Sequence, residues 1–353
     1  MYLNFLQTLS SHADFGLFGG VVAPYFLRMQ PCPHPANNCD ILFPSSDYIS
    51  GEPFQIAHCR CCGQVVTVPV PADIGRYYPI GYYGDAGGRR FPALIEWLQE
   101  RLYARRVRRV LRVLRRKNGS VLDIGCGRGL LLRAFRQQGC AVLGTEFSEN
   151  ACRFARDVLK IPVKIGLLHE MNFPDKNFDV VVMWHVLEHV SDPRATLAEV
   201  SRILRPGGIF LVGVPNFGSP EARLAKGGWF HLDVPRHLSH HTRKSLEGAL
   251  SSAGMQPVWL TTIAPEYDCF SFVQSLLNWF GVRPNYLYNW LRGRKAKVTA
   301  DGKQSGSFVA TLLLAPLLGL LSVPATLLLG LVRQGSALTI CAMKDNPAGS
   351  KKP

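Results

Sequence analysis

Charge is absent from one long stretch of this sequence. Residues 308–332 read FVATLLLAPLLGLLSVPATLLLGLV, which is 25 residues without an acidic or basic side chain. Acidic residues are also scarce in the chain as a whole, since 25 Asp and Glu face 40 Lys and Arg and leave a formal net charge of +15. This excess of positive charge permits an anionic partner, such as nucleic acid, phospholipid or a phosphorylated substrate, without selecting one of them.

Two further absences limit the class of protein. Residues 1–9 lack the basic and long apolar regions of a secretory signal, so we expect a cytoplasmic protein. The ten cysteines then indicate reduced thiols or a metal site in preference to a disulfide framework. No low-complexity tract interrupts the 353 residues, and 47% hydrophobic residues suffice for one large domain or two smaller domains with proper cores.

A glycine-rich turn follows a buried-strand pattern in the middle of the chain. Residues 121–124 are Val-Leu-Asp-Ile, residues 125–129 are Gly-Cys-Gly-Arg-Gly, and residues 130–137 have the pattern of a helix. A second strand, residues 140–144, leads to Glu146. Glycines after a strand allow the backbone to approach a ligand closely, and an acid at the tip of the next strand can accept both ribose hydroxyls of a nucleoside.

Asp123 precedes these glycines, and their spacing differs from the dinucleotide form G-x-G-x-x-G. The run DIGCGRG, with an acid about twenty residues later, resembles motif I of the class I S-adenosylmethionine (SAM) methyltransferases. The resemblance implies that the loop backs the methionine part of SAM, that Asp123 orders the loop and that Glu146 holds the ribose. The residues assigned to the cofactor on this basis are Asp123, Gly125, Cys126, Gly127, Gly129, Glu146, Phe147, Leu167, Leu168 and Trp184.

Later segments follow the same family in order. Residues 178–183 read as the next buried strand, WHVLEHV at 184–190 resembles the family's HxLEH segment, and residues 205–208 resemble its RPGG turn. Leu167 departs from the family, which often has an acid there, so we expect backbone and apolar contacts to hold the adenine. The resemblance implies an α/β fold with a seven-stranded Rossmann-like sheet and helices on both faces.

Histidines supply the candidates for a general base, which is needed when the methyl acceptor is a hydroxyl or a carbon acid. His185 and His189 are four residues apart, so on a helix they would share a face and Glu188 would turn away. Either histidine could instead cap or pack the segment locally. Tyr82 is a third candidate, because the tyrosines before the core could form a lid whose hydroxyls reach the acceptor, or could simply pack.

The acceptor-facing residues come from two segments. WFHLDVPRHLSHH at 229–241 resembles a segment that faces the acceptor in related methyltransferases, and Arg236 is the candidate for binding an anionic group. Metal binding by His231, Asp233 and His237 is conceivable, but their spacing fits no standard zinc pattern closely. The full set assigned to the acceptor is Tyr77, Tyr78, Tyr83, His231, Arg236 and His237.

A cysteine-rich segment precedes the core. Cys59-x-x-Cys62-Gly is a zinc-knuckle half-site, and Cys32-x6-Cys39 is a stretched partner for it. The order of these motifs resembles a bacterial methyltransferase group with an N-terminal zinc ribbon, some of whose members modify sugars. The resemblance implies a structural zinc ion held by Cys32, Cys39, Cys59 and Cys62. The alternative is a set of unligated thiols.

A basic helix is predicted over residues 100–117, where five apolar residues recur at helical spacing with arginines largely opposite. We expect the apolar stripe to pack on the core, with lipid contact as a secondary use. Nucleic-acid binding is disfavoured because the sequence has no recognisable RNA-binding module. It also lacks the N/D-P-P-Y-type tetrapeptide that resembles amino-methylating enzymes.

The uncharged stretch precedes a strand-like run at 336–344, which by resemblance is the last strand of the sheet. Both ends of the stretch would then lie on one side of any membrane, which excludes a single transmembrane pass. Pro316 and Pro324 disfavour a continuous helix, so we expect a hairpin of two short helices. The hairpin could contact one leaflet of a membrane as a monotopic element, form a dimer interface or wall the acceptor pocket.

These patterns predict four segments: a zinc-ribbon-like module (1–75), a tyrosine-rich lid with the basic helix (76–117), a SAM methyltransferase domain containing the hairpin (118–344) and a disordered tail (345–353). The predicted activity is methyl transfer to a small-molecule, glycan or lipid-linked acceptor at the cytoplasmic face of the membrane. A quinone or lipid O-methyltransferase and a non-catalytic SAM-binding scaffold are the alternatives. The sequence leaves the oligomeric state open.

Overall fold

The computed structural model describes Cys32, His34 and residues 38–78, 93–292 and 303–346. The predicted lid residues Tyr82 and Tyr83 lie outside the described residues, as does most of the predicted tail. The described strands form two sheets.

The smaller sheet has four antiparallel strands in the order β1-β2-β3-β9. Three of them come from the cysteine-rich segment, namely β1 (Cys39–Ser46), β2 (Pro53–Cys59) and β3 (Val65–Val68). The fourth, β9 (Ser239–His240), comes from the histidine-rich segment about 170 residues later. The cysteine-rich module and the histidine-rich segment therefore share one sheet.

The larger sheet has seven strands in the order β10-β11-β8-β7-β4-β5-β6. Strands β4 to β8 are parallel, and β10 and β11 are antiparallel to their neighbours. This arrangement confirms the predicted seven-stranded Rossmann-like sheet. Its strands are β4 (Ser120–Ile124), β5 (Ala141–Glu146), β6 (Val163–Ile165), β7 (Phe178–Trp184), β8 (Leu204–Pro215), β10 (Met255–Thr261) and β11 (Ala337–Lys344).

Helices cover both faces of the larger sheet, because its central strands are apolar on both sides. One face packs on α1 and α2 and the other on α4 and α6. The described helices are α1 (Ala93–Leu114), α2 (Leu130–Arg136), α3 (Glu149–Arg153), α4 (Pro193–Ile203), α5 (Pro220–Ala225), α6 (Arg243–Ser252), α7 (Pro265–Trp279), α8 (Tyr286–Leu291) and α9 (Lys303–Leu331).

The predicted basic helix is part of α1. Val107 and Val110 are fully buried in the core beside β4 and β8, and Leu111 is nearly so. The apolar stripe packs on the sheet as expected, and Arg108 and Arg112 face solvent.

Arg236 ties the histidine-rich segment to the cysteine-rich module instead of facing the acceptor as the sequence predicted. Its side chain is fully buried and donates to Asp47 Oδ1 at 2.8 Å, to Asp233 Oδ1 at 2.8 Å and to the Tyr77 carbonyl at 3.0 Å. The guanidinium is therefore committed to protein partners. The acceptor assignment of Arg236 is corrected, because these partners fold onto it from distant segments.

Tyr77 is also corrected as an acceptor residue. Its ring is buried edge-on against Phe54 with centroids 5.8 Å apart. Its hydroxyl donates to Glu52 Oε2 at 2.6 Å. The side chain is thus a core element of the smaller sheet.

The uncharged stretch is one helix, α9, and not the predicted hairpin. Pro316 and Pro324 lie inside it on its exposed side, where their rings meet no neighbouring element of the described chain. A helix supported along its length tolerates the missing N–H groups of proline with a local adjustment, and α9 is supported by α7. Strand β11 begins at Ala337 and lies between β10 and β8, so the end of α9 is held at the sheet.

We predict that the Arg236→Met variant unfolds with a free energy lower by about 3–5 kcal/mol, because it leaves Asp47 and Asp233 as buried carboxylates without their cation. Urea denaturation followed by circular dichroism measures the change. The matched control is Arg116→Met, which breaks the ion pair of an exposed arginine with Asp179 and should cost less than about 1 kcal/mol. Equal effects of the two substitutions would contradict the structural role of Arg236.

Candidate active site

The glycine turn connects β4 to α2 at the carboxyl edge of the larger sheet. The turn is closed by hydrogen bonds from the Gly125 and Cys126 amides to the Thr145 carbonyl at 2.8 and 3.0 Å. Gly125 has φ of +68°, and a Cβ there would come within 2.5 Å of Val186 Cγ2. Only glycine fits this position, so the glycine turn and the 184–190 segment are in direct contact.

Glu146 ends β5 beside this turn, as the sequence predicted. Its Oε2 accepts from the Gly127 amide at 3.0 Å, and its Oε1 accepts from the Phe147 amide at 3.0 Å. A carboxylate offers about four acceptor positions, so these bonds leave room for hydroxyl donors from a ligand. Glu146 is therefore fixed at the tip of the strand and can still bind a ribose.

Asp123 is buried below the turn, and its Oδ1 has no hydrogen-bond partner among the described residues. Burial and then the neighbouring Glu146 hold the pKa of Asp123 well above its ordinary value. Burial also raises the pKa of Glu146, although backbone amides partly oppose that effect. Two buried carboxylates of this kind suit a ligand that carries positive charge and hydroxyl groups, which fits the sulfonium, ammonium and ribose of SAM.

The other predicted cofactor residues surround the same edge. Phe147 is exposed after β5, and its ring lies 6.1 Å from that of Tyr78. Leu168 is buried, while the Leu167 amide donates to Glu170 Oε2 at 2.7 Å. Both leucines follow β6, where apolar contacts and backbone groups are available.

Trp184 ends β7 and is enclosed by polar groups that the sequence did not indicate. The Arg106 guanidinium carbon lies 3.8 Å from its ring centroid. The indole Nε1 donates to the Tyr267 hydroxyl at 3.2 Å. Arg106 in turn forms a buried ion pair with Glu266 at 2.6 Å. These contacts fix the end of β7 between α1 and α7.

The segment after β7 forms a 3-10 turn, Leu187–His189, and the helical expectation for it was wrong. His185 has φ of +56°, which is uncommon outside glycine and directs the chain inward. Glu188, predicted to turn away, is buried with Oε1 3.3 Å from His185 Nδ1. The contact between His185 and Glu188 is an ion-pair contact and not a well-aligned hydrogen bond. Neither carboxylate oxygen of Glu188 has a hydrogen-bond partner among the described residues.

The surroundings of the Glu188 carboxylate favour its charged form. Burial alone would raise its pKa, but His185 and then His189 outweigh burial and hold the pKa below its ordinary value. His185 keeps part of its side chain accessible. The pair can therefore act as an oriented histidine and a fixed negative charge, which is the arrangement of a general base with its positioning carboxylate.

His189 and His237 meet at the same carboxylate. Their ring centroids are 4.6 Å apart, and ligand atoms of Glu188, His189 and His237 lie within 4.8 Å of one another. His189 Nδ1 donates to the Arg236 carbonyl at 3.0 Å and lies 3.2 Å from the Tyr78 hydroxyl. His237 Nδ1 donates to the His231 carbonyl at 2.8 Å. Both rings thus keep Nε2 as the acceptor in their neutral form.

The remaining histidines of the predicted acceptor segment are buried and neutral. Burial, followed by the nearby His185, lowers the pKa of His231 to about 3. Burial and then His189 hold the pKa of His237 well below its ordinary value. The structure thus places His237 and Tyr78 beside Glu188 and His189. His231 is linked to this group through its backbone carbonyl, which accepts from His237.

The cysteine-rich segment brings together donors that precede β1 and donors at the end of β2 and in its following turn. Cys32 Sγ lies 3.6 Å from Cys62 Sγ and 3.6 Å from His34 Nδ1, and Cys59 Sγ lies 3.5 Å from His34 Nδ1. A tetrahedral zinc site with bonds of about 2.3 Å places its sulfur ligands about 3.8 Å apart, so these spacings fit one ion. Burial opposes ionisation of Cys59, but the Cys62 amide, the Cys32 thiol and the Cys61 amide lower its pKa below the ordinary value.

His34 enters this donor set where the sequence predicted Cys39. The four side chains whose ligand atoms lie within 4.8 Å of one another are Cys32, His34, Cys59 and Cys62. Cys39 lies beside them, with burial and the charge of Cys59 raising its thiol pKa. The stretched spacing of Cys32 and Cys39 was the available signal that a residue between them could supply the fourth donor.

The chain resembles known methyltransferases in sequence. Residues 94–259 match the protein family described as a methyltransferase domain. A "Probable S-adenosylmethionine-dependent methyltransferase" of Mycolicibacterium smegmatis is 36% identical over 98 residues, covering 28% of this chain and 38% of the relative. The ubiquinone biosynthesis O-methyltransferase of Rhodopseudomonas palustris is 35% identical over 154 residues, covering 38% of this chain and 60% of the relative. The chain thus spans less than two thirds of the length of either relative.

A solved structure also resembles the chain. The SAM-dependent methyltransferase of Archaeoglobus fulgidus has a TM-score of 0.44 and 20% sequence identity, covering 69% of this chain and 94% of that protein.

We predict that Glu146→Ala lowers SAM affinity by about 10- to 100-fold, because a hydrogen bond to a charged group contributes about 1.5–3 kcal/mol. Isothermal titration calorimetry with SAM measures the effect. Glu149→Ala, which removes an exposed carboxylate from the adjacent α3, should leave the affinity within twofold of the unsubstituted chain. Unchanged SAM binding by the Glu146 variant would remove Glu146 from the cofactor site.

Proposed function

We propose that this chain is a class I SAM-dependent methyltransferase, which transfers the methyl group of SAM to a hydroxyl of a small-molecule, glycan or lipid-linked acceptor. Asp123, the glycine turn and Glu146 would hold SAM, which supplies an activated methyl group when bound. The observation that carries the proposal is the buried Glu188 carboxylate 3.3 Å from His185, in the segment after β7 whose Val186 contacts the glycine turn.

His185 is the general base in this proposal. With Nδ1–H directed to Glu188, its Nε2 is free to accept the proton of an acceptor hydroxyl. Glu188 is the positioning residue, and its charge stabilises the imidazolium that results. His189 was the second candidate, but its Nδ1 donates to the Arg236 carbonyl and not to a carboxylate, so we assign it to shaping the site.

The acceptor is proposed to be reached at the cytoplasmic face of the membrane, where the protein would be peripherally bound. Burial lowers the pKa of His231, His237 and His240, so these histidines are neutral. They therefore offer no positive charge to bind a highly anionic acceptor. A largely neutral acceptor such as a sugar or lipid-linked hydroxyl suits these surroundings better than a phosphodiester backbone.

A quinone or lipid O-methyltransferase is the second candidate. The ubiquinone biosynthesis O-methyltransferases among the relatives are 31% and 35% identical over 153 and 154 residues, which favours a phenolic hydroxyl as acceptor. A phenol needs less help from a base than an alcohol because its pKa is near 10. Dependence of the rate on His185 therefore separates the two candidates.

A structural zinc ion is proposed for the cysteine-rich module. Cys32, His34, Cys59 and Cys62 would hold it, since four protein donors close a tetrahedral site and leave no position for a substrate. The ion would stabilise the turn after β2 and, through the shared sheet, the segment that carries Arg236 and His237.

Two substitutions test the catalytic pair. His185→Ala and Glu188→Gln are each expected to lower kcat by about 10²- to 10⁴-fold while SAM affinity stays within about twofold. The assay supplies methyl-labelled SAM and an extract of the cells that express the chain, and separates organic-soluble, polysaccharide, nucleic-acid and protein fractions. Glu247→Gln, at a carboxylate paired with Arg243 on α6, is the control and should retain full activity.

The same assay identifies the acceptor class. Label in the polysaccharide or organic-soluble fraction that is lost with His185→Ala supports the proposal, and label in a methylated quinone that survives His185→Ala favours the second candidate. Label in nucleic acid would contradict the proposed acceptor. Intact SAM binding with no label in any fraction would point to a SAM-binding scaffold.

Removal of the metal tests the module separately. The purified chain is expected to contain about one zinc per molecule by mass spectrometry, and chelation should lower its unfolding temperature. Cys59→Ser and His34→Ala should each lose the zinc, whereas Cys39→Ser should keep it. Retention of zinc by His34→Ala together with its loss in Cys39→Ser would restore the four-cysteine site predicted from the sequence.

A further inference from the structure

Helix α9 turns its small and polar side chains toward the protein and its large apolar side chains outward. Ser307, Thr311, Ser322 and Thr326 are buried on the side facing the body of the protein, in line with Leu318 and Gly330. Soluble surface helices have the opposite distribution, with the apolar stripe against the core. The large side chains exposed on α9 are Phe308, Val309, Leu312, Leu313, Leu317, Leu320, Leu321, Val323, Leu327, Leu328 and Leu331.

The buried stripe permits a close approach, and of its four hydroxyl side chains only Thr311 lacks a hydrogen-bond partner among the described residues. A Cβ at Gly330 would lie 2.5 Å from Ile263 Cγ1, so glycine is required for the observed contact. Ser322 Oγ donates to the Gly319 carbonyl at 2.7 Å and Thr326 Oγ1 to the Val323 carbonyl at 3.3 Å, both within the helix. Small residues at the contact and hydroxyls bonded to their own helix are typical of helices whose outer surface meets lipid.

The exposed surface is too apolar and too long for a core helix. Residues Gly306–Leu331 have the length and composition of a membrane span, yet only 17% of the most apolar window is buried. A core helix of a soluble protein would be mostly buried in the same test. The outer face of α9 is thus an uninterrupted apolar surface without a partner among the described residues.

We propose that the outer face of α9 is a membrane-docking surface that lies in the plane of an anionic bilayer, with its leucines in the acyl boundary of one leaflet. At about 1.5 Å per residue the 29-residue helix is about 43 Å long, which exceeds the hydrocarbon thickness of about 30 Å. An upright helix would also carry α7, packed beside it, and β11, which follows it into the sheet, into the hydrocarbon. The in-plane orientation avoids both costs.

Exposed aromatic residues near the N-terminal part of α9 and a basic residue after its C-terminal end suit a membrane interface. Trp279 and Phe280 end α7 and its cap, and Trp290 lies on α8, and all three are exposed. Exposed Arg333 follows the other end of α9. Tryptophan favours the headgroup level, and a chain with a formal net charge of +15 is attracted to anionic lipid.

Helix α7 separates the docking surface from the candidate active site. On one side Cys269 Sγ lies 3.6 Å from Thr326 Oγ1 of α9. On the other, the ring of Tyr267 lies 4.5 Å from that of His185. The surface therefore places the proposed site one helix away from the bilayer. Docking itself does not depend on methyl transfer, so it can be tested without an acceptor.

Vesicle co-sedimentation tests the surface. The full chain, mixed with vesicles of phosphatidylcholine containing about 30% phosphatidylglycerol, is expected to partition into the pellet and to bind less when the vesicles are pure phosphatidylcholine. The variant with Leu313→Gln, Leu320→Gln and Leu328→Gln, three residues that are 69%, 77% and 64% exposed, should lose about 100-fold in partitioning. SAM binding by that variant should be unchanged, which shows that it is folded.

The matched control replaces three exposed apolar residues elsewhere, with Val158→Gln, Leu224→Gln and Val258→Gln, and should bind vesicles like the unsubstituted chain. Equal partitioning by the α9 variant and the control would overturn the proposal. A second outcome would also overturn the proposal. If the chain does not bind vesicles, sediments as a dimer and becomes a monomer with the α9 substitutions, then a second copy of the chain covers the surface. Vesicle binding with SAM binding but no methyl transfer would contradict the proposed function and leave the docking surface intact.

Discussion

A buried guanidinium ties the cysteine-rich module to the histidine-rich segment. Arg236 lies between Asp47 of the smaller sheet and Asp233 of the histidine-rich segment, and its backbone carbonyl also accepts from His189. A charge that is removed from water must be paired, so separating these segments would leave Arg236 or its carboxylate partners without compensation. The positions of Tyr78, His189 and His237 around Glu188 follow from that pairing. The site thus depends on a residue that does not touch the reacting groups.

The parts of the fold that could be predicted from the sequence are those set by local backbone requirements. Gly125 must be glycine because of its positive φ and its contact with Val186, and Glu146 must end a strand beside it to accept the Gly127 amide. Such requirements fix the residue type at positions of constant spacing, so they can be recognised in the sequence without knowledge of the fold. The seven-stranded sheet was implied by the resemblance to the methyltransferase family, whereas the residues themselves indicated only individual buried strands as short apolar runs before a turn.

The parts that could not be predicted depend on contacts between distant segments. Arg236 and Tyr77 have the residue types of a binding site, but their partners lie up to 189 residues away in the chain and consume their polar groups. Glu188 was expected on the outer face because a helix was assumed, and the left-handed backbone of His185 reverses its direction. His34 lies between Cys32 and Cys39 in the sequence. The spacing of cysteines predicted Cys39 as the fourth donor, whereas the fold brings His34 to the other three. Proline spacing in α9 likewise suggested a break that the support of α7 prevents.

The order of elements along the chain has a consequence for synthesis. Strand β11 occupies a place between β8 and β10 at the end of the described residues, and it follows α9 in sequence. While the chain emerges from the ribosome, β10 therefore lacks its neighbour, and the sheet cannot close until the most apolar helix has already left the exit tunnel. The nascent protein must keep that helix from aggregating before its own core is complete. If a lipid surface or a chaperone binds α9 early, the last step of folding is the insertion of β11 between β8 and β10 while α9 is still bound.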